Sequence, residues 1–299
     1  MKQILVLALL LTTFVGYLPA QTASLPKGYW GIEKSQPVLD KTQTIRLAPD
    51  VSGLSAGERK ALEKLNEVGK IFQELYELQR QPQSVAARKI LEKLDRQNGS
   101  SAATRNLLTL YRINQGAVGT TIDGKRESFL PFEPTAAGGM YPADSTKAEL
   151  DAFLAANPDK SDSILGSRTV VRRATADNLQ NDLAKLKQYP VLDTLHPGLK
   201  RELQSIKNNA KTFYAVPYSV GYADQIVRSY TLLNEAADAV QKDDEEFSGY
   251  LRNRSRDLLS DDYESGDAAW VTAHFKNLNG QMGSYETYDD PFYGMKTYF

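Results

Sequence analysis

Cysteine is absent from this chain of 299 residues. Without it there can be no disulfide, no thiolate metal site and no cysteine nucleophile, so packing alone must stabilise the fold. Histidine is scarce as well, because the chain contains only His196 and His274. Neither is followed by glutamate, and no His-Glu-x-x-His metal motif occurs. We interpret both histidines as packing or surface residues.

The chain has no excess of charge of either sign. Thirty-six Lys and Arg residues balance 37 Asp and Glu residues, so no strong field attracts a polyanion, and we predict no nucleic-acid partner. Long apolar runs are confined to residues 4–15, which follow Lys2 and precede Pro19 and Ala20. This pattern predicts a cleaved signal peptide over residues 1–20 and an exported, periplasmic or secreted protein. No later run reaches the ~20 apolar residues of a membrane-spanning helix.

Several catalytic and ligand-binding motifs are also missing. The sequence has no Gly-x-Ser-x-Gly elbow, and Gly138 and Gly139 belong to no phosphate-binding glycine loop. The acidic clusters at residues 243–246, 261–262 and 289–290 lack the spaced oxygen ligands of a calcium loop, and we interpret them as solvated surface. By its own residues the chain shows no complete catalytic set and no metal site.

The first part of the chain, residues 21–116, is predicted to form an arm and a helical layer. Prolines and glycines in residues 21–53 favour an extended arm without helix. Ser55 and Glu58 form a capping box before apolar residues at helical spacing, which predicts a helix that ends near Pro82. Further helices are predicted at residues 85–94 and 103–113, and the three should form an antiparallel layer.

The second part, residues 117–299, is predicted to be α+β. Asp123-Gly124 indicates a hairpin, and Thr146 with Glu149 indicates a capped helix. The whole chain should therefore be α+β, mostly α, with helical layers and a small mixed sheet. The remaining predicted elements are strands at residues 169–173 and 213–218, helices at 178–188, 226–240, 250–259 and 267–278, and a solvated connector at 242–246.

The most informative pattern lies near the end of the sequence. Glu286 and Tyr288 are two residues apart, so on an extended strand both side chains project from the same face. A carboxylate can hold the free amino end of a substrate, and a phenol can donate a hydrogen bond to a developing oxyanion. A tyrosine-rich edge strand with a polar face explains the same spacing equally well, and the spacing does not choose between the two.

The segment that contains this pair resembles a known motif. Glu286-x-Tyr288-x-Asp290-Pro-Phe, between Gly283 and Gly294, resembles the substrate-facing segment of the dipeptidyl peptidase III family of zinc metallopeptidases. The resemblance extends, in the same order, over residues 140–299. It implies one lobe of a two-lobed metallopeptidase-like fold. The further segments that carry it are residues 141–144, 169–173, 215–219, 258–263 and 267–270.

The resemblance also implies roles for three residues. Glu286 would bind the amino end of a small peptide-like substrate and Tyr288 would stabilise the transition state. Asp290 would belong to the substrate-binding set and shape the turn that positions the pair. Zinc is implied only for the full-length family member, on a lobe that follows this segment. Since no zinc motif is present, we expect the sequence to stop before that lobe, to bind no metal and to be inactive alone.

Three hypotheses remain open from the sequence. The first is the substrate-binding lobe of an exported zinc-dependent peptidase-like hydrolase. The second is a non-enzymatic exported module that binds peptides or a protein through its tyrosines. Zinc content and peptide cleavage by the complete gene product would separate these two. The third is a relative fused to another hydrolase domain, which would appear as extra coding sequence beyond the metal lobe. The sequence indicates nothing about oligomeric state.

Overall fold

The computed structural model describes residues 25–299, so the predicted signal peptide lies outside the described residues. Helices dominate, and the α+β, mostly α class is confirmed. Over the described range, no helix is both long and apolar enough to cross a membrane. The helices are α1 Ile32–Leu39, α2 Ala56–Arg80, α3 Pro82–Gln97, α4 Ala102–Asn114, α5 Lys147–Ala156, α6 Ser161–Leu165, α7 Ala176–Gln188, α8 Pro190–Leu195, α9 Leu199–Ser205, α10 Tyr218–Gly221, α11 Ala223–Val240, α12 Glu245–Ser260 and α13 Glu264–Thr272, with a 3-10 turn at Pro158–Lys160.

The strands form two separate antiparallel pairs. β1 (Val118–Thr120) pairs with β2 (Arg126–Ser128), and β3 (Thr169–Ala174) pairs with β4 (Asn209–Pro217). The hairpin turn is where Asp123-Gly124 predicts it, with Gly124 at φ +83°. The prediction of a small mixed sheet is wrong in detail, because parallel pairing is absent from the part of the chain described.

Two predicted helix starts are confirmed, because the signals act locally. In α2 the Ser55 Oγ accepts the Glu58 N–H at 3.0 Å, while the Glu58 carboxylate accepts the Ser55 N–H at 2.8 Å. In α5 the Thr146 Oγ1 accepts the Glu149 N–H at 3.2 Å. Each cap satisfies a backbone donor that the helix itself leaves without a partner.

The expectation that residues 21–53 contain no helix is wrong for α1. Pro37 lies inside α1 and removes only one backbone donor from a helix of 8 residues. Tertiary contacts outweigh this cost: Ser35 is buried, and the Asn106 amide of α4 donates to Gln36 at 2.9 Å. The rest of the arm, residues 41–54, has no helix or strand.

The larger hydrophobic core surrounds α11. This helix packs against α2 on one side and α12 on another, while α13 packs on α12. The buried face of α11 includes Ile226, Leu233 and Val240, each fully removed from solvent. Burial of one such side chain contributes about 1.5–3 kcal/mol to folding. The packing of α11 between α2 and α12 is therefore a main source of stability.

A smaller core joins α1, α3, α4 and the β1–β2 hairpin. Trp30 and Phe129 pack edge to face with ring centroids 5.9 Å apart, and Leu91 and Leu107 are fully buried beside them. Residues of α2 belong to the larger core. The predicted domain boundary at residues 116 and 117 stays a prediction.

The last two helices begin or end at residues other than those predicted from the sequence. The charged stretch at 242–246 is not a connector throughout, because the Asp244 carboxylate caps α12 by accepting the Phe247 N–H at 2.9 Å. The final helix, predicted over residues 267–278, ends at Thr272. His274 consequently lies outside it, in an irregular segment where its N–H bonds to the Glu246 carboxylate at 2.5 Å.

Candidate functional site

The segment that carries Glu286 and Tyr288 is less regular than the sequence predicts. Glu286 pairs with Tyr298 in a single antiparallel bridge, in which the Tyr298 N–H donates to the Glu286 carbonyl at 2.8 Å. Tyr288 lies in the turn that follows, where the Asp290 N–H donates to the Thr287 carbonyl at 3.1 Å. The prediction of one extended strand under both side chains is therefore wrong.

The structure nevertheless brings both side chains to one groove. The groove has a volume of about 410 Å³ and lies between α2 and the segment 281–288. Glu286 is exposed and Tyr288 is 77% exposed at its rim. Neither side chain hydrogen-bonds within residues 25–299, so both polar groups are available to a ligand. The other lining residues are Gly69, Phe72, Gln73, Tyr76, Gln115, Gln281, Gly283, Tyr285, Tyr298 and Phe299.

The wall opposite Glu286 is formed by α2, which sequence reasoning assigned to a general helical layer. The Tyr76 hydroxyl donates to the Asp289 carboxylate at 2.7 Å, 213 positions along the chain. Burial, reinforced by this bond, raises the pKa of Tyr76 to about 12, so the phenol stays protonated at neutral pH. In the sequence Tyr76 is indistinguishable from the apolar stripe of α2, which explains why it was missed.

Asp290 occupies a different position from Glu286 and Tyr288. It is 8% exposed, and its Oδ2 accepts the N–H groups of Met295 and Lys296, each at 2.9 Å. The Tyr141 hydroxyl donates to the same oxygen at 3.1 Å, and Oδ1 accepts the Phe292 N–H at 3.0 Å. This carboxylate holds the turn together, which fits the turn-shaping role, but it faces the loop interior and reaches no groove surface.

Lys296 fixes the same turn to the β3–β4 layer. Its side chain is fully buried, and Nζ donates to the carbonyls of Ile164 and Gly166 at 2.6 and 2.8 Å and to the Thr169 hydroxyl at 2.5 Å. Burial lowers the pKa of Lys296 to about 7. Three oxygen acceptors around one amine leave Nζ little freedom to move.

A second support lies behind Tyr285, the neighbour of Glu286. The Arg254 guanidinium is fully buried; its Nη2 donates to the Asp267 carboxylate at 2.5 Å and its Nη1 lies 3.2 Å from the Asp257 carboxylate. The Tyr285 hydroxyl donates to the same Asp267 oxygen at 2.7 Å. Arg254 also lies 5.0 Å from the centre of the Tyr263 ring. The network joins α12, α13 and the groove segment.

Glycine is required where the groove segment begins. Gly283 has φ +154°, and an added Cβ would lie 2.4 Å from the Tyr263 ring and 2.8 Å from the Tyr285 ring. Both aromatic side chains are held by packing, so no flexible end could move aside. The predicted segment boundary at Gly283 therefore has a steric reason.

His196, Ser219 and Asp261 meet in space, a cluster that the sequence did not reveal. His196 Nε2 lies 2.7 Å from the Ser219 hydroxyl and 3.9 Å from the Asp261 carboxylate. In a Ser-His-Asp triad the carboxylate bonds the other ring nitrogen, whereas here the same nitrogen is near both groups. Ser219 is also fully buried, so no substrate reaches it. We interpret the cluster as structural.

The cluster predicts a pH dependence of stability. Burial raises the pKa of Asp261 to about 7, against the opposing Ser219 N–H. A carboxyl whose pKa is raised in the folded state stabilises the fold while protonated, and this contribution is lost as the pH rises through about 7. Urea unfolding should show wild-type stability falling relative to Asp261→Asn from pH 4.5 to 7.5, by on the order of 1 kcal/mol per pH unit.

The variant supplies its own control in that comparison. Burial lowers the pKa of His196, which makes stability rise with pH below about 6.5 and so opposes the effect of Asp261. The difference between the two stability curves therefore reports Asp261, together with any change that its substitution causes at His196, 3.9 Å away. Parallel curves over the whole range would contradict a raised pKa.

The acidic clusters are not simply solvated surface, which corrects the sequence interpretation. Asp244 is 3% exposed, and Asp261 and Asp290 are also mostly buried. All three carboxylates accept hydrogen bonds from backbone N–H groups: Asp244 from Phe247, Asp261 from Ser219, and Asp290 as described.

Within residues 25–299 no three His, Asp or Glu side chains are grouped to hold a metal ion.

Comparison with known proteins finds no matching family model. Two solved structures do match. One, dipeptidyl peptidase III from Corallococcus sp. strain EGB, has a TM-score of 0.66 and 23% identity over 91% of this chain. The other, dipeptidyl peptidase III from Caldithrix abyssi, has a TM-score of 0.60 and 22% identity over 84%. The chain has a dipeptidyl peptidase III-like fold.

A curated relative matches at the sequence level. It is Nudix hydrolase 3 of Arabidopsis thaliana, 26% identical over 175 residues, which is 58% of this chain and 20% of the plant protein. The dipeptidyl peptidase III-like fold here spans 43% and 40% of the two solved chains. The predicted resemblance is thus confirmed for the fold, and it covers less than half the length of each of these proteins.

Proposed function

We propose that this chain is the substrate-binding lobe of an exported, zinc-dependent, peptidase-like hydrolase. In the proposal, Glu286 binds the free amino end of a small peptide and Tyr288 donates a hydrogen bond to the carbonyl oxygen as it becomes an oxyanion. One observation carries the proposal. An exposed carboxylate and an exposed phenol line the same groove, and neither has a hydrogen-bond partner within residues 25–299.

The lining of the groove supports a cationic ligand end. Tyr76, Tyr285 and Tyr298 line the space beside Glu286 and give it an aromatic wall. The Asp289 carboxylate accepts the Tyr76 hydroxyl, and it lies 3.7 Å from the Arg80 guanidinium. Glu286 is therefore the carboxylate in the groove that remains free to pair with an amine.

Residues 25–299 do not fit a zinc ion, because they present no group of three candidate ligands. In the proposal the metal, which would activate the attacking water, is held by other polypeptide. The part of the reaction assigned to this chain is to bind and orient the peptide and to donate a hydrogen bond at Tyr288.

Peptide binding tests the proposal directly. Calorimetry should show that trialanine amide with a free amino end binds the purified chain, and that its N-acetylated form binds about tenfold more weakly. Glu286→Gln should remove this difference, because an ammonium group paired with a carboxylate contributes about 1–1.5 kcal/mol at a partly exposed site.

Glu264→Gln is the matched control for the charge change. Glu264 is exposed in the first turn of α13 and does not line the groove, so its replacement should leave the preference for a free amino end unchanged. Equal binding of both peptides by the unaltered chain would contradict the role of Glu286. If the complete gene product binds peptides but contains no zinc and cleaves none, the non-enzymatic binding module is the better description.

A further inference from the structure

A second cavity, of about 330 Å³, lies beside the groove. We call it the side cavity; it is enclosed by the end of α2, the start of α3, the turn after α4, the β1–β2 hairpin and the loops at residues 134–138 and 289–291. Gln115 lines both the side cavity and the groove. The hydrogen bond from Tyr76, in the groove, to Asp289, in the side cavity, also joins their walls. A ligand in one space therefore lies next to the other.

The acidic residues of the side cavity are already neutralised within the protein. Glu77 is 2% exposed, accepts the Tyr111 hydroxyl at 2.8 Å and pairs with the Arg88 guanidinium at 3.1 Å. Asp289 is engaged by Tyr76 and by Arg80. Neither carboxylate contributes a free negative charge to the space.

The basic residues of the side cavity retain unused donors. Arg126 is exposed on β2, and its guanidinium has no hydrogen bond or ion pair within residues 25–299. Arg80 donates from Nη1 to the Asn114 carbonyl at 3.2 Å. Because the acids are paired and one cation is not, the side cavity has a net positive charge, with the amides of Gln81 and Gln115 among its walls.

We propose that the side cavity binds a carboxylate of the same peptide whose amino end lies at Glu286, with Arg126 as its principal donor. The proposal rests on the function proposed above and adds a substrate class to it: short peptides with a free amine at one end and a carboxylate nearby. The planar guanidinium fork of arginine suits a carboxylate, since two parallel N–H groups meet its two oxygens.

Three peptides with a free amino end distinguish the possible sources of the carboxylate. Trialanine amide has none, Ala-Glu-Ala amide has one on its side chain, and trialanine acid has one at its end. At least one acidic peptide should bind about tenfold more tightly than trialanine amide, as expected for a charged hydrogen bond. The peptide that shows the gain identifies whether a side chain or a chain end enters the side cavity.

Two matched variants locate the effect. Arg126→Gln should abolish the tenfold gain and leave the affinity for trialanine amide unchanged. Lys125→Gln removes the same charge from the neighbouring residue, which pairs with Asp123 at 2.8 Å and lies outside the side cavity, so it should preserve the gain. Both residues are exposed, and unchanged thermal unfolding midpoints would confirm that the variants fold.

Other outcomes overturn the proposal. Equal affinity for all three peptides, or an equal loss in both variants, would show that no specific carboxylate site exists at Arg126. In that case the affinities for the free and the N-acetylated peptide would still test Glu286. Failure of the Arg126 site can therefore be told apart from failure of the Glu286 site. If trialanine amide and its N-acetylated form bind with equal affinity, the proposed role of Glu286 fails, and the carboxylate site that rests on it fails as well.

Discussion

Asp290→Ala should lower the free energy of unfolding by about 3–5 kcal/mol. The carboxylate is 8% exposed and accepts four hydrogen bonds from backbone N–H groups, those of Phe292, Tyr293, Met295 and Lys296, as well as one from the Tyr141 hydroxyl. Removing it leaves these donors, which are buried or half-buried, without their partner, and each unsatisfied buried donor costs about 1–3 kcal/mol. Urea unfolding followed by circular dichroism measures the loss.

The same substitution should also impair peptide binding, because the turn held by Asp290 positions Tyr288. Asp159→Ala is a suitable control, since Asp159 is exposed in the 3-10 turn and no hydrogen bond to its side chain is found within residues 25–299. Its change in stability should stay within about 0.5 kcal/mol. A loss at Asp290 as small as that of the control would show that its hydrogen bonds do not hold the turn.

Arg254→Ala should destabilise the chain by about 3–5 kcal/mol. The guanidinium is fully buried between the carboxylates of Asp257 and Asp267, and Asp257 is itself 2% exposed. Removal of one partner leaves an uncompensated buried charge, which is the costly way to break an ion pair. Thermal and urea unfolding should agree on the size of the effect.

Arg252→Ala is the control on the same helix. Arg252 pairs with Asp238 at 2.6 Å, but both side chains are exposed, so its loss should cost less than about 1 kcal/mol. Arg254→Ala should also weaken peptide binding, because Tyr285 loses the charged group that fixes Asp267. Equal effects of the two arginine variants would refute the structural role of the buried ion pair.

Much of the secondary structure could be predicted because its signals are local. The caps at Ser55 and Thr146 act within three residues, and the Asp123-Gly124 turn needs only its own backbone conformation. The errors occur where distant contacts decide. α1 tolerates Pro37 because α4 packs against it, and the last helix ends at Thr272.

The candidate site also has parts that the sequence predicts and parts that depend on distant contacts. The spacing of Glu286 and Tyr288 and the glycine at Gly283 are readable in the sequence, and the structure places both side chains at one groove. The role of Tyr76 could not be found, because its partner Asp289 lies 213 positions away and an aromatic residue on a helical stripe has the pattern of a core residue.

The sequence by itself determined the mostly helical class, the resemblance to dipeptidyl peptidase III and the pair Glu286 and Tyr288. These depend on short segments, whose side-chain types and spacing are visible directly. Only the tertiary structure decided that α2 forms the opposite wall of the groove, that Asp290 is turned inward, and that Arg126 lines a second cavity. Burial and pairing depend on residues far apart in the chain, so no local pattern encodes them.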